Sequence, residues 1–299
     1  MTLTRRTALG AAALPWLAGC ATPLPLGAGP SARDDGAASL LAESAQAHGL
    51  AAFRALKDVS IGYDGRWRPL IGRVQPEVVD AGYRVRAEER MLPAAGVHAQ
   101  VHTGPLGTKQ VVRTRPWPAS AGSSARDLGR VGVWRNGVPD TTASSTQAAA
   151  LVADGYLLFL LGPLWLAGAP LPMARAGRER VDGVACDLVQ VWLAPGLGLV
   201  EADRVALCID PATGLMRRVR FTLEGFPGTR GAVAEVDTFE HVRRFGVAWP
   251  MRSYERVVHP IALPAHDWHV TGLEVDRGFG VADLDGPALR GAAAAPATL

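Results

Sequence analysis

The stretch VDGVACDLVQVWLAPGLGLVEADRVALCIDPATGLMRRVRF, residues 181–221, decides how this chain is built. Two runs within it, ACDLVQVWLAP and DRVALCIDP, are rich in Val, Leu, Ile and Trp and read as strands. A Gly-rich loop around residues 196–199 joins them. Asp210-Pro-Ala-Thr-Gly214 then reads as a turn into a third, basic strand. Strands joined by such short connections pair antiparallel, as a meander.

The same pattern continues in both directions. Downstream lie AVAEVDTFEHV, FGVAWPMRSYERVV and DWHVTGLEVDRGF, with Arg244-Phe245-Gly246 as a turn. Upstream, VSIGYDGRWRPLI carries Asp64-Gly65, a two-residue hairpin signal. GYRVRAEERML alternates, with Tyr83, Val85, Ala87 and Glu89 on one face and Arg84, Arg86, Glu88 and Arg90 on the other. KQVVRTR and GVWRNG follow, the latter turning at Asn136-Gly137. Two segments break the β pattern: residues 39–56 have helical spacing with Ser39 as cap, and residues 144–161 form a helix stopped by Gly162-Pro163.

That second helix runs into GYLLFLLGPLWLAGAPLP, residues 155–172, which holds no charged residue. A bilayer core of roughly 30 Å needs about 20 apolar residues. Here Gly162-Pro163, Gly168 and Pro170 interrupt the run, so it reads as packed on the sheet. It is either a permanent core helix or a movable cover over an apolar cavity.

Residues 181–258, with the D-x-x-T-G turn at Asp210–Gly214 and the Trp249-Pro250 start of a long strand, resemble the LolA/LolB-like lipoprotein-handling proteins. The resemblance implies a mainly β fold with a few helices: a strongly curved antiparallel sheet, an unclosed half-barrel, covered by helices. Its concave face would accept an acyl chain or a lipidated ligand. The expected lining is Leu157, Leu158, Leu160, Leu161, Leu164 and Trp165 from the cover, with Leu188, Val191, Trp192, Val219 and Phe221 from the sheet. The chain is longer than such carriers, and none of Arg217, Arg218 and Arg220 takes a family role.

The N-terminus reads as an export leader over residues 1–19: Arg5-Arg6, a short apolar run, then Leu-Ala-Gly before Cys20. LAGC is similar to a lipobox, which implies lipidation of Cys20, with palmitate as a label. Thr4–Leu9 resembles a twin-arginine signal, and Ala21 after the cysteine favours an outer-membrane address facing the periplasm. Residues 20–36 then form a flexible tether, residues 37–286 one domain, and residues 287–299 a disordered tail. Cys186 and Cys208 come nearly opposite when the hairpin is folded, so a disulfide and a pair of small buried thiols both fit.

Charged residues make up 20% of the chain and the formal charge is +3. That is too mild for nucleic-acid binding. No H-E-x-x-H, G-x-S-x-G, Walker or G-x-G-x-x-G motif occurs. His266 and His269 lie three apart in a strand and face opposite ways, while His98 and His102 share a face too far apart to ligate one metal. Ser123 and Ser124 read as loop residues, and Glu88-Glu89 alternate faces. A non-catalytic binding protein with no cofactor and no metal is expected. The alternative is a cell-envelope interaction module docking a protein partner by a sheet edge or by Trp67, Trp117 and Trp134.

Overall fold

The computed structural model describes residue 24, residues 32–117 and residues 127–297. The leader, Cys20, most of the tether, Ser123 and Ser124 lie outside the described residues.

In chain order the elements begin with α1 (Asp35–His48), α2 (Leu50–Ala55), β1 (Val59–Trp67), α3 (Pro69–Val74) and α4 (Pro76–Val79). Next come β2 (Arg86–Leu92), β3 (Val97–Gly104), β4 (Gly107–Thr114), β5 (Arg130–Arg135), β6 (Val138–Pro139), α5 (Ala143–Leu161) and α6 (Pro163–Leu166). The chain closes with β7 (Met173–Val181), β8 (Val184–Leu193), β9 (Asp203–Ile209), β10 (Met216–Thr222), β11 (Val233–Arg244), β12 (Val247–His259), β13 (Leu263–Val275) and α7 (Val281–Leu284). The 13 strands among the described residues form one curved, unclosed sheet in the order β6-β5-β4-β3-β2-β1-β13-β12-β11-β10-β9-β8-β7. Every named pair is antiparallel. The mainly β half-barrel that the resemblance implied is the observed architecture.

Alternation sets the two faces. Val189, Val191 and Leu193 of β8, Val205 and Leu207 of β9, and Trp249 and Met251 of β12 point into the main core with α1, α2, α5 and α6. From Ala148 onward α5 is apolar on all sides except at Asp154, as a helix end enclosed by the protein must be. It is long and apolar enough to cross a membrane, yet its last nine residues are all buried within the protein. Gly162 stops it and Pro163 starts α6, as the sequence indicated.

Two local readings are corrected. Helix 39–56 is two helices, capped not by Ser39 but by Asp34, whose side chain accepts from Ala37 N at 2.8 Å. They divide at Gly49, with φ 94° and a backbone so close to Gly246 that a Cβ would lie 2.1 Å from its carbonyl oxygen. Asp64-Gly65 makes no hairpin: β1 runs straight through it, paired with both β2 and β13. Gly65 is needed there because a Cβ would meet His266 Nε2 at 2.5 Å and Trp268 Cβ at 2.8 Å.

The two ends of the chain are also seated. Leu24 packs with Ala206 and Val233. The described part of residues 287–299, expected to be unstructured, runs along the outer face: Ala294 N donates to Glu88 at 2.7 Å and Ala297 N to Thr271 O at 2.9 Å. Arg90, buried over the Phe279 ring, donates to the carbonyls of Arg290 and Ala292.

Candidate functional site

α5 fills the hollow with its own side chains. Leu157, Leu158, Leu160, Leu161, Leu164, Trp165, Val191, Val219 and Phe221 belong to the main core and are 0–4% exposed. Leu188 and Trp192 lie on the opposite face, because β8 turns its even-numbered residues away from α5. Cys186 and Cys208 are free and buried. The register pairs Leu188 with Cys208, which puts Cys186 opposite Asp210, so the expected facing pair is offset by two residues.

The apolar cavity lies elsewhere, where α3 and α4 cross the end of the β12–β13 hairpin. Its outer part has a volume of about 280 Å³ and is walled by Ile71, Val78 and Val79 from the cover and by Val257, Leu263 and Ala265 from the sheet. A smaller chamber of about 50 Å³ adjoins it and shares Trp67, Val78, Leu223 and Glu255. Leu151, Gly155, Tyr156 and Phe159 of α5 close this chamber, and Phe221 is the one expected lining residue that reaches it. The β1–β2 connection thus supplies the cover, while the apolar α5 supplies the back wall.

Arg84 enters the inner chamber from the turn before β2. Its Nη1 donates to Val78 O at 2.5 Å and its Nη2 to Tyr156 Oη at 3.1 Å. The guanidinium lies 4.6 Å from the Trp67 ring centre and 5.4 Å from that of Tyr156. His266 stacks on the other aromatic neighbour, Trp67, at 4.1 Å. Burial depresses His266 and His102 well below the ordinary imidazole value, with Arg84 adding to both. Burial raises the Glu255 carboxyl, against the pull of Arg84.

Sequence reading missed this arrangement for a definite reason. Alternation through β2 correctly joins Ala87 and Glu89 on one face, but extending it back to residue 84 assumes a strand that starts only at Arg86. Asp80 in a left-handed conformation and the turn that follows swing Arg84 inward. The Val-Val-Asp-Ala-Gly run at residues 78–82 was the available signal.

A buried polar layer accompanies the cavity on the inner face of β2–β4. Glu89 accepts from His98 Nε2 at 2.9 Å and from Gln100 Nε2 at 2.6 Å. His98 and His102 do share a face, as read. Arg113 and Arg115 close on Asp154 of α5. Arg218 and Arg220 sit in a network with Glu179, Glu235 and Asp237 on the outer face, and Arg217 pairs with Asp210. Trp117, expected to be exposed, stacks on Phe53 and is buried; Trp67 and Trp134 are half-buried.

No protein-family model matches the chain, and no curated protein matches it. Solved structures do. A DUF1329 family protein from Desulfovibrio piger aligns with a TM-score of 0.54 at 12% identity, covering 87% of this chain and 100% of the other. A LolA superfamily protein from Nitrosomonas europaea aligns with a TM-score of 0.50 at 11% identity, covering 83% of this chain and 97% of the other. At these identities the likeness shows the fold, which is LolA-like.

Proposed function

We propose that this is a lipid-anchored, periplasm-facing binding protein that takes one acyl chain into the cavity beneath α3 and α4. The supporting observation is the cavity itself: about 280 Å³ with walls of Ile, Val, Leu and Ala, close to the lower end of the roughly 300–1,000 Å³ usual for ligand sites. Each buried CH₂ contributes about 0.8 kcal/mol, so a single chain binds without polar contacts. The capacity suits one chain rather than several.

The movable element is α3–α4 and not α5. Both short helices begin with proline and lack a side-chain cap, so their N-terminal ends are weakly held. Val74 and Ile261 stand exposed where they line the cavity, beside Arg73 and Arg230. An apolar rim with basic neighbours suits approach to an anionic lipid surface.

Native mass spectrometry of protein released gently from membranes tests the reading. A retained single-chain lipid, and saturable uptake of a fluorescent acyl probe by the purified protein, are the expected results. Absence of saturable binding to any lipid would remove it. An unacylated Cys20 after palmitate labelling would remove the anchor alone.

A further inference from the structure

We infer that Arg84 is a carboxylate-binding residue at the inner end of this cavity, so that the ligand is a free fatty acid or similar monocarboxylate amphiphile inserted head first. The inference rests on the acyl-cavity reading and specifies the polar end of its ligand.

Arg84 is 4% exposed, and among the described residues no carboxylate lies within 4.0 Å of it. A buried guanidinium without a counter-charge is costly, and buried arginines are ordinarily paired. Within this protein Arg113 and Arg115, equally buried on the same side of the sheet, both close on Asp154. Arg90, buried on the outer face without an ion pair among the described residues, is met instead by the three carbonyls of Arg290, Gly291 and Ala292. Lys109, also buried, closes on Asp80 at 2.7 Å. Arg84 has only neutral acceptors, Val78 O and Tyr156 Oη, and its Nε is buried with no hydrogen-bond partner.

The surroundings suit an arriving anion. The planar guanidinium fork matches a carboxylate, and a site walled by Leu151, Phe159, Phe221 and Leu223 strengthens the attraction. The groups that face Arg84 are Tyr156 from α5, Trp67 from β1, His102 from β3, His266 from β13 and Glu255 from β12. Glu255 is the acid in this set: it shares the inner chamber with Arg84 and is attracted by it, but makes no ion pair with the guanidinium within 4.0 Å. An aliphatic tail leaving the inner chamber passes directly into the larger apolar space, because the two share four walls.

Competition of laurate, methyl laurate and lauryl alcohol against one fluorescent acyl probe tests the inference on the full chain. Laurate is expected to bind roughly tenfold or more tighter than the two neutral ligands, the scale of a buried charge-assisted hydrogen bond. Arg84→Gln should abolish that preference and leave methyl laurate binding intact, whereas Arg230→Gln at the rim should leave the preference intact. Equal binding of acid and ester by the parent protein would overturn the role of Arg84 while the acyl cavity stands. Loss of the preference in Arg230→Gln would overturn it too, by moving the anion to the rim. Failure of all three ligands to compete would overturn both readings.

Discussion

Arg115, just past β4, reaches Asp154 in the middle of α5, with its Nη1 2.6 Å from Oδ2. Arg113 joins the same carboxylate at 3.1 Å, and the Gly198 backbone N–H donates to it at 2.8 Å. Burial alone would raise this carboxyl, but Arg115 and Arg113 outweigh it and hold the group below its usual range. Asp154 thereby fastens α5 to both halves of the sheet. Asp154→Asn leaves two guanidinium groups buried without a counter-charge and should cost about 3–5 kcal/mol. Urea denaturation reads the loss, and an unchanged midpoint would show that the triad does not anchor the helix.

The cavity and the core make opposite predictions. Leu161 is 1% exposed within the main core, so Leu161→Ala should cost about 2–5 kcal/mol while the folded protein still binds an acyl probe. Val257→Trp fills the space under α3 and should weaken probe binding with little loss of stability. Melting curves and probe titrations on both variants check the pair. The reverse pattern would return the site to α5.

Much of this organisation is legible in the sequence, because alternation and turn chemistry are local. Residues 181–221 fold as the three-strand meander they spell, and Asn136-Gly137 and Phe245-Gly246 turn where they should. Asp64-Gly65 fails because the space demanded by His266 and Trp268, far off in sequence, overrides local turn preference. The cavity was misplaced for a similar reason. An apolar, Gly- and Pro-broken helix can either cover a hollow or fill it, and composition does not say which. Pairing decides: α5 joins the last strand on one edge to the first on the other and must cross the concave face.

The cysteines give a chemical test of register. Burial pushes the Cys208 thiol up to about 12 and raises that of Cys186, which suppresses the reactive thiolate. Both should resist iodoacetamide in the folded protein and both should alkylate after unfolding without reductant. A mass map showing a linked 186–208 peptide would require β8 and β9 to slip by two residues.

His48 makes the docking of α1 sensitive to acid. It is 2% exposed, its Nδ1 donates to Ser44 O at 2.8 Å, and its Nε2 accepts the Met216 N–H at 3.3 Å, so the folded protein needs the neutral ring. Burial lowers its pKa to about 4 against the raising effect of the Ser44 carbonyl, with Arg243 lowering it further. His241, 6.0 Å away, is likewise lowered to about 4, by burial first and His48 next. The unfolded chain, near its ordinary value of about 6.5, binds the proton first. The contribution is therefore complete above about pH 6.5 and is lost as pH falls toward about 4, by at most about 3 kcal/mol for His48. His48→Gln keeps a donor and an acceptor but does not titrate. Its stability deficit relative to the parent should be largest near neutrality and should shrink in urea melts taken down to about pH 4.5. Taking the difference at each pH cancels the titrating groups other than the neighbouring His241, so a deficit that stays constant would mean that His48 does not need to be neutral for α1 to dock.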